Sequence, residues 1–218
     1  MINIVSNEGI KSSLTSLKLG CLLCNVKNNE YNSELWKEID SEVIRISSID
    51  ISNIKDIPQI ASSREAYKRL GKDPSRYRLS SEALYRRIIN QKGLYQINTV
   101  VDIINFSSLK TGYSIGGYDF DKINGEITLR KGTKDDIYDA IGRGILNIED
   151  LPVFADYTGA FGSPTSDSVR TSITLQTKKV FLIVMNFGNH DYFIEDVELI
   201  QNLLQKYAYA DNLCISIV

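Results

Sequence analysis

Residues 162–171, GSPTSDSVRT, concentrate hydroxyls, a carboxylate and a guanidinium between two apolar stretches. Asp167 and Arg170 lie three positions apart. If both face one pocket, the guanidinium can grip a carboxylate or phosphate through two parallel hydrogen bonds. The aspartate can then bind an α-amino group or polarise a water. Ser163, Thr165, Ser166 and Ser168 can donate to the same ligand. The plainer alternative is an Asp167–Arg170 ion pair that stiffens the loop. A serine nucleophile is less favoured, because His190 is the only histidine and nothing in the sequence places it as a base.

A second candidate surface is the strand-like YSIGGYDF. Gly116 and Gly117 would let a ligand approach the backbone amides, or they mark a bulge or a close strand crossing. Asp119 and Asp156 are further pocket carboxylates, or turn caps. Tyr113, Tyr118, Tyr157 and Phe161 flank these loops. Aromatics there stack on a base or aromatic amino acid, or simply fill the core.

Charge is unevenly distributed. The chain of 218 residues has a formal net charge of −2. Residues 64–92 hold nine Lys or Arg against three acids, a local +6 that leaves the remainder near −8. Arg76, Arg78, Arg86 and Arg87 are therefore candidate RNA phosphate contacts, with solvated amphipathic helices as the alternative. The overall balance predicts no general attraction to DNA or to acidic membranes. Cys21 and Cys24 form a C-x-x-C inside the apolar run LGCLLCNV and lack a second ligand pair, so buried thiols are expected, with no metal or cofactor. The start lacks a signal-peptide pattern and VFLIVMNF is too short to span a bilayer, so a cytoplasmic location is expected.

These residues need elements to position them. The first sixty residues read as an α/β layer: a strand at INIVSN, a helix over GIKSSLTSLKLG ending at Gly20, a strand at CLLCNV, and a helix over NSELWKEIDSEVIRI. The basic tandem comes next. Ser62 and Glu65 have capping-box spacing, and Gly71 can end that helix. KDPSRY is a turn. Ser80 can cap the next helix, with Ala83, Leu84, Ile88 and Ile89 as its core face and Gly93 at its end. Asn98 can cap a third helix that ends at Gly112. The remainder is β-rich, with SITLQTKKVFLIVMNF as two strands joined near Lys178 and Lys179, before a final helix (DVELIQNLLQKYA) and strand (LCISIV). The pattern predicts one continuous domain over 1–218 of α+β class.

The stretch INTVVDIINFSSLKTGYSIGGYDFDKINGEITLRKG resembles the B3/B4 domain of the β subunit of bacterial phenylalanyl-tRNA synthetase. The family's NNVVDxTNY helix matches at Asn98, Val100, Val101, Asp102 and Asn105. Its glycine step matches at Gly112, and its PLHAFD strand at Tyr118 and Asp119. The following strand matches at Asp121, Gly125, Ile127 and Arg130. Residues 64–174 are closer still to free-standing B3/B4 proteins of bacteria, with LGKDPxRYR, IGxYD and a loop ending RT.IT. Residues 1–60 match no motif. The resemblance implies an α+β fold with a β-sandwich-like core and flanking helices. It implies an editing-type site that hydrolyses mischarged aminoacyl-tRNA, walled by the 162–171 loop, with Asp167 near the family's acidic position. The family's strand histidine falls at Gly116, so its side chain is missing. The resemblance leaves open three uses: hydrolysis of aminoacyl-tRNA in trans with Asp167 placing a water, RNA binding without catalysis, or binding of a small amino-acid-like ligand.

Overall fold

A computed structural model describes residues 3–218, which form an α+β fold. The chain begins with β1 (Ile4–Ser6), α1 (Glu8–Ser13) and β2 (Lys18–Asn25), followed by α2 (Ser33–Ser47). The basic tandem is α3 (Pro58–Arg69) and α4 (Ser80–Ile89), and α5 (Thr99–Thr111) comes next. Then come β3 (Ser114–Asp119), β4 (Ile127–Lys131), the short pair β5 (Asp139–Ala140) and β6 (Gly144–Ile145), β7 (Pro152–Asp156), β8 (Gly159–Gly162) and β9 (Lys179–Asn186). The chain closes with α6 (Phe193–Ala208) and β10 (Asp211–Ile217). Among the described residues no helix is long and apolar enough to cross a membrane.

Two four-stranded sheets face each other. One has the order β10-β2-β9-β3 and is antiparallel. The other has the order β1-β4-β7-β8, with β1 parallel to β4. Alternate residues of each strand point inward, as in a sandwich. Leu19, Cys21, Tyr118, Phe181 and Ile183 of the first sheet meet Ile4, Ile127, Leu129, Phe154 and Phe161 of the second. The outer face of the first sheet (Leu22, Cys24, Ile115, Leu182, Val184) is covered by α2, α5 and α6. Tyr67 of α3 and Tyr85 and Ile88 of α4 join Val153, Ala155 and Ala160 of the second sheet in a third cluster.

The two-residue period of a strand separates the C-x-x-C thiols. Cys21 enters the core between the sheets and Cys24 the core under the helices. Burial pushes both thiols up to about 12.

Local signals hold where they stand alone. The Asn98 side chain accepts from the Val101 N–H and caps α5, and Gly112 ends it at φ 81°. Tertiary pairing overrides them elsewhere. The helix expected to reach Gly20 stops at Ser13, because residues 18–25 pair along their whole length with β9. A Cβ on Gly20 would sit 2.6 Å from Val197, so that strand is pressed against α6. Ser62 does not cap a helix. Pro58 already starts α3, and Ser62 Oγ bonds back to the Gln59 carbonyl at 3.1 Å. Ser80 is the first residue of α4 and gives no capping bond. The buried face of α4 is Ser81, Glu82, Tyr85 and Ile88, rather than the expected row that began at Ala83 and Leu84. Residues 172–186 give one strand, since Thr177 Oγ1 accepts from the Thr174 N–H and folds 174–177 into a turn.

Candidate functional site

Residues 162–171 begin the connection from β8 to β9, and most of their polar groups are engaged within the fold. Ser163 Oγ accepts from the N–H groups of Thr165 and Ser166 and donates to the Ser166 carbonyl. Thr165 Oγ1 pairs with Tyr67 Oη at 2.8 Å, and Tyr138 Oη donates to the Ser166 carbonyl at 2.7 Å. The Ser80 N–H at the start of α4 donates to the Pro164 carbonyl. Arg170 turns away from Asp167. Its guanidinium grips both oxygens of Asp156 at 2.9 and 3.1 Å and also donates to the carbonyls of Gly159 and Lys122. Asp156 further accepts from the N–H groups of Asn124, Thr158 and Gly159, so it acts as a turn anchor. Asp119 is also occupied: it accepts from Thr177 Oγ1 at 2.8 Å and from the Asp121 N–H.

Asp167 differs from all of these. Its residue is half-buried overall, but Oδ1 is sealed from solvent and has no hydrogen-bond partner among the described residues. Oδ2 accepts from the Gly117 N–H at 3.2 Å. Burial pushes the carboxyl up to about 7, and the Gly117 N–H, the Tyr118 phenol and the Ser163 N–H oppose that shift only in part. Beside it lies the phenol of Tyr118, fully buried, with Oη close enough to interact with the carboxyl but outside good hydrogen-bonding geometry. Tyr118 stands two residues after Gly116 on the same face of β3, and its ring folds back over that glycine. A Cβ on Gly116 or on Gly162 across the sandwich would collide with Tyr118 Oη. Phe161 meets the ring edge-on at 4.9 Å. The two glycines thus make a niche the size of one phenol ring, and the chain's own tyrosine fills it. Gly117 faces the other way, against Ile104 and Ile173.

Removing the unpaired hydroxyl should relieve a desolvation penalty. Tyr118→Phe is expected to leave stability unchanged or raise it by about 1 kcal/mol, read from the urea midpoint. A loss of that size instead would mean that Tyr118 Oη is hydrogen-bonded to Asp167.

Three of the nine basic residues of the tandem gather on one buried acid. Glu82 is buried on α4, and Arg64 and Arg86 reach it at 2.8 and 2.9 Å, with Arg78 at 3.8 Å. Arg87 lies 3.4 Å from the ring centre of Tyr95, and exposed Arg76 lies 5.8 Å from that of Tyr77. His190 is held by Ser62, whose Oγ lies 3.1 Å from Nε2, and by Tyr113 at 6.0 Å between ring centres. Burial lowers its imidazole below the ordinary value.

The family model described as B3/4 domain matches residues 62–192, which include Gly116, Tyr118 and the whole 162–171 loop. The chain belongs to the B3/4 domain family. The phenylalanine–tRNA ligase β subunit of Tropheryma whipplei is 32% identical over 108 residues, covering 48% of this chain. That of Cutibacterium acnes is 33% identical over 103 residues, covering 43% of this chain. The chain spans only 11% of the length of either relative. An N-terminal fragment of the phenylalanyl-tRNA synthetase β-subunit from Pyrococcus horikoshii aligns over 94% of this chain and 47% of its own, at 14% identity and a TM-score of 0.45.

Within the B3/4 stretch, sequence reasoning singled out Asp167 and both β3 glycines but missed the groups that surround them. Tyr67 and Tyr138 hold the loop, and Tyr118, read as a flanking aromatic or a core residue, lies in the core. A usable signal existed for Tyr118: in a strand, the side chain at i+2 covers a glycine at i on the same face. No comparable signal marks Tyr67 or Tyr138, whose partners lie 98 and 28 positions away.

Proposed function

We propose that this B3/4 chain recognises the aromatic aminoacyl group of an aminoacyl-tRNA or a related amino-acid-like ligand. The observation that carries this reading is the buried Asp167 carboxyl, one oxygen unpaired, facing a phenol in a niche cut by Gly116 and Gly162. A buried acceptor without a partner is the kind of group that selects a ligand bearing the matching donor. A ligand phenol would enter as Tyr118 swings aside, donating to Asp167 Oδ1 while the ring packs on Phe161. The phenylalanine–tRNA ligase relatives support an aminoacyl-tRNA context.

Recognition is favoured over hydrolysis. Tyr118 fills the space over Gly116, and His190 is held by Ser62 and makes no hydrogen bond to the loop. Trans hydrolysis stands as the second reading, since a carboxyl near pH 7 is matched to moving a proton from water. A separate RNA-binding role has weaker support, because Arg64, Arg78 and Arg86 surround Glu82.

The test is thermal shift with L-tyrosine, L-phenylalanine and a non-hydrolysable 3′-tyrosyl-amide of adenosine, on wild type and Tyr118→Ala. The tyrosyl compounds should raise the melting temperature more than phenylalanine, and Asp167→Ala should abolish the difference. No shift in either protein would sink the proposal. Deacylation of tyrosyl-tRNA, run in parallel, decides the second reading: a rate above the spontaneous one that Asp167→Asn removes would add hydrolysis to recognition.

A further inference from the structure

The end of β2, the turn before β9 and the link from α6 to β10 enclose a groove of about 820 Å³. Lys27, Lys178, Gln176 and Tyr209 line it, and neither lysine is ion-paired among the described residues. Asp211 also lines it, but its carboxylate accepts from the side-chain amides of Asn25 at 2.9 Å and Asn212 at 3.1 Å. Lys27 Nζ lies 5.6 Å from the ring centre of Tyr209, which is 62% exposed.

Tyr209 occupies an unfavourable place. It ends α6 in the left-handed conformation, φ 50° and ψ 41°, and the Ala210 N–H closes the cap on the Leu204 carbonyl at 3.1 Å. Glycine takes that conformation without strain, and a side chain there is tolerated at a loss of stability. The ring gives little back through packing, since it stands largely in water. A strained residue that neither the cap nor the core requires points to a use outside the fold. Here that residue is an aromatic surface beside the cation Lys27, in a groove that Lys178 and a polar turn also line.

We propose that this groove binds a nucleoside 5′-phosphate unit, with the base stacked on Tyr209 and the phosphate between Lys27 and Lys178. Any base presents a π-face, so the groove tolerates base identity and depends on the phosphate charge. The unit can arrive as a free mononucleotide or as one residue of a single-stranded RNA. This site is separate from the Asp167 niche, and Asp167→Asn should leave it intact.

The experiment titrates AMP and a short oligoadenylate into the full chain at low salt, by calorimetry or fluorescence anisotropy. Tyr209→Gly separates binding from folding: the melting temperature should hold or rise, while affinity falls about tenfold or more. Tyr209→Phe should keep both. Lys27→Ala and Lys178→Ala should each weaken binding and flatten its salt dependence. Binding of AMP identifies the free nucleotide as sufficient, and binding of the oligomer alone identifies a strand; either supports the site. Failure of both ligands to bind, or binding that Tyr209→Gly leaves unchanged, overturns it.

Discussion

Replacement of Glu82 by alanine is expected to destabilise the fold by about 3 kcal/mol, measured by urea unfolding. The Glu82 side chain is 1% exposed, while those of Arg64, Arg86 and Arg78 are 19%, 29% and 43% exposed. Arg64 takes one carboxylate oxygen and Arg86 the other, so both acceptors are in use. Removing the carboxylate leaves a largely buried Arg64 charge between α3 and α4 with only the Pro74 carbonyl, at 3.5 Å, as an acceptor. Breaking a buried pair from one side is far more damaging than losing a surface pair, which is worth about 1 kcal/mol or less. Glu82→Gln keeps an acceptor and removes the charge, so it should fall between wild type and alanine. A loss below about 1 kcal/mol for Glu82→Ala would show that water holds these guanidiniums, and would return the tandem to candidacy as a phosphate-binding face.

This centre also marks where the sequence stops being readable. A local charge of +6 over residues 64–92 is correctly counted, yet counting assumes that charges on helices face outward. Glu82 faces inward because Tyr85 and Ile88 turn that side of α4 toward Tyr67, Tyr138 and the second sheet. Only the assembled packing decides this. By contrast, α5 was legible because Asn98 and Gly112 act within one turn of their own backbone. At the site, the polar types in 162–171 were legible and their partners were not. Asp167 and Arg170 look like a pair at three positions apart, but a short 3-10 turn at Val169–Thr171 sends them in different directions. Arg170 then finds Asp156 fourteen positions back, and Asp167 accepts from the Gly117 N–H. The same failure of local reading extended the first helix into β2, whose apolar residues fit either period until β9 is beside them.

The buried Asp167 carboxyl should make stability depend on pH in an unusual direction. Folding raises Asp167 from its ordinary 3.8 to about 7. Below about pH 4 the group is protonated in both states and costs nothing. Between about pH 4 and pH 7 the unfolded chain releases the proton and the folded chain keeps it, so stability falls as pH rises. Above pH 7 the penalty is complete, and a shift of this size corresponds to about 4 kcal/mol. Asp136, held down at about 2 by Arg130, works oppositely and loses its contribution only as pH falls through that acid range. The difference between wild type and Asp167→Asn therefore isolates the buried group. Asparagine keeps the acceptor for the Gly117 N–H and cannot ionise. Asp167→Asn should match wild type near pH 4 and exceed it by up to about 4 kcal/mol at pH 8, measured by urea unfolding across that range. Parallel curves for the two proteins would mean that water reaches Oδ1, and the niche would then hold a solvated carboxylate with no need of a ligand donor. A divergence with this sign would show that the fold carries a destabilising acid facing Tyr118, which is the expected behaviour of a group kept for recognition.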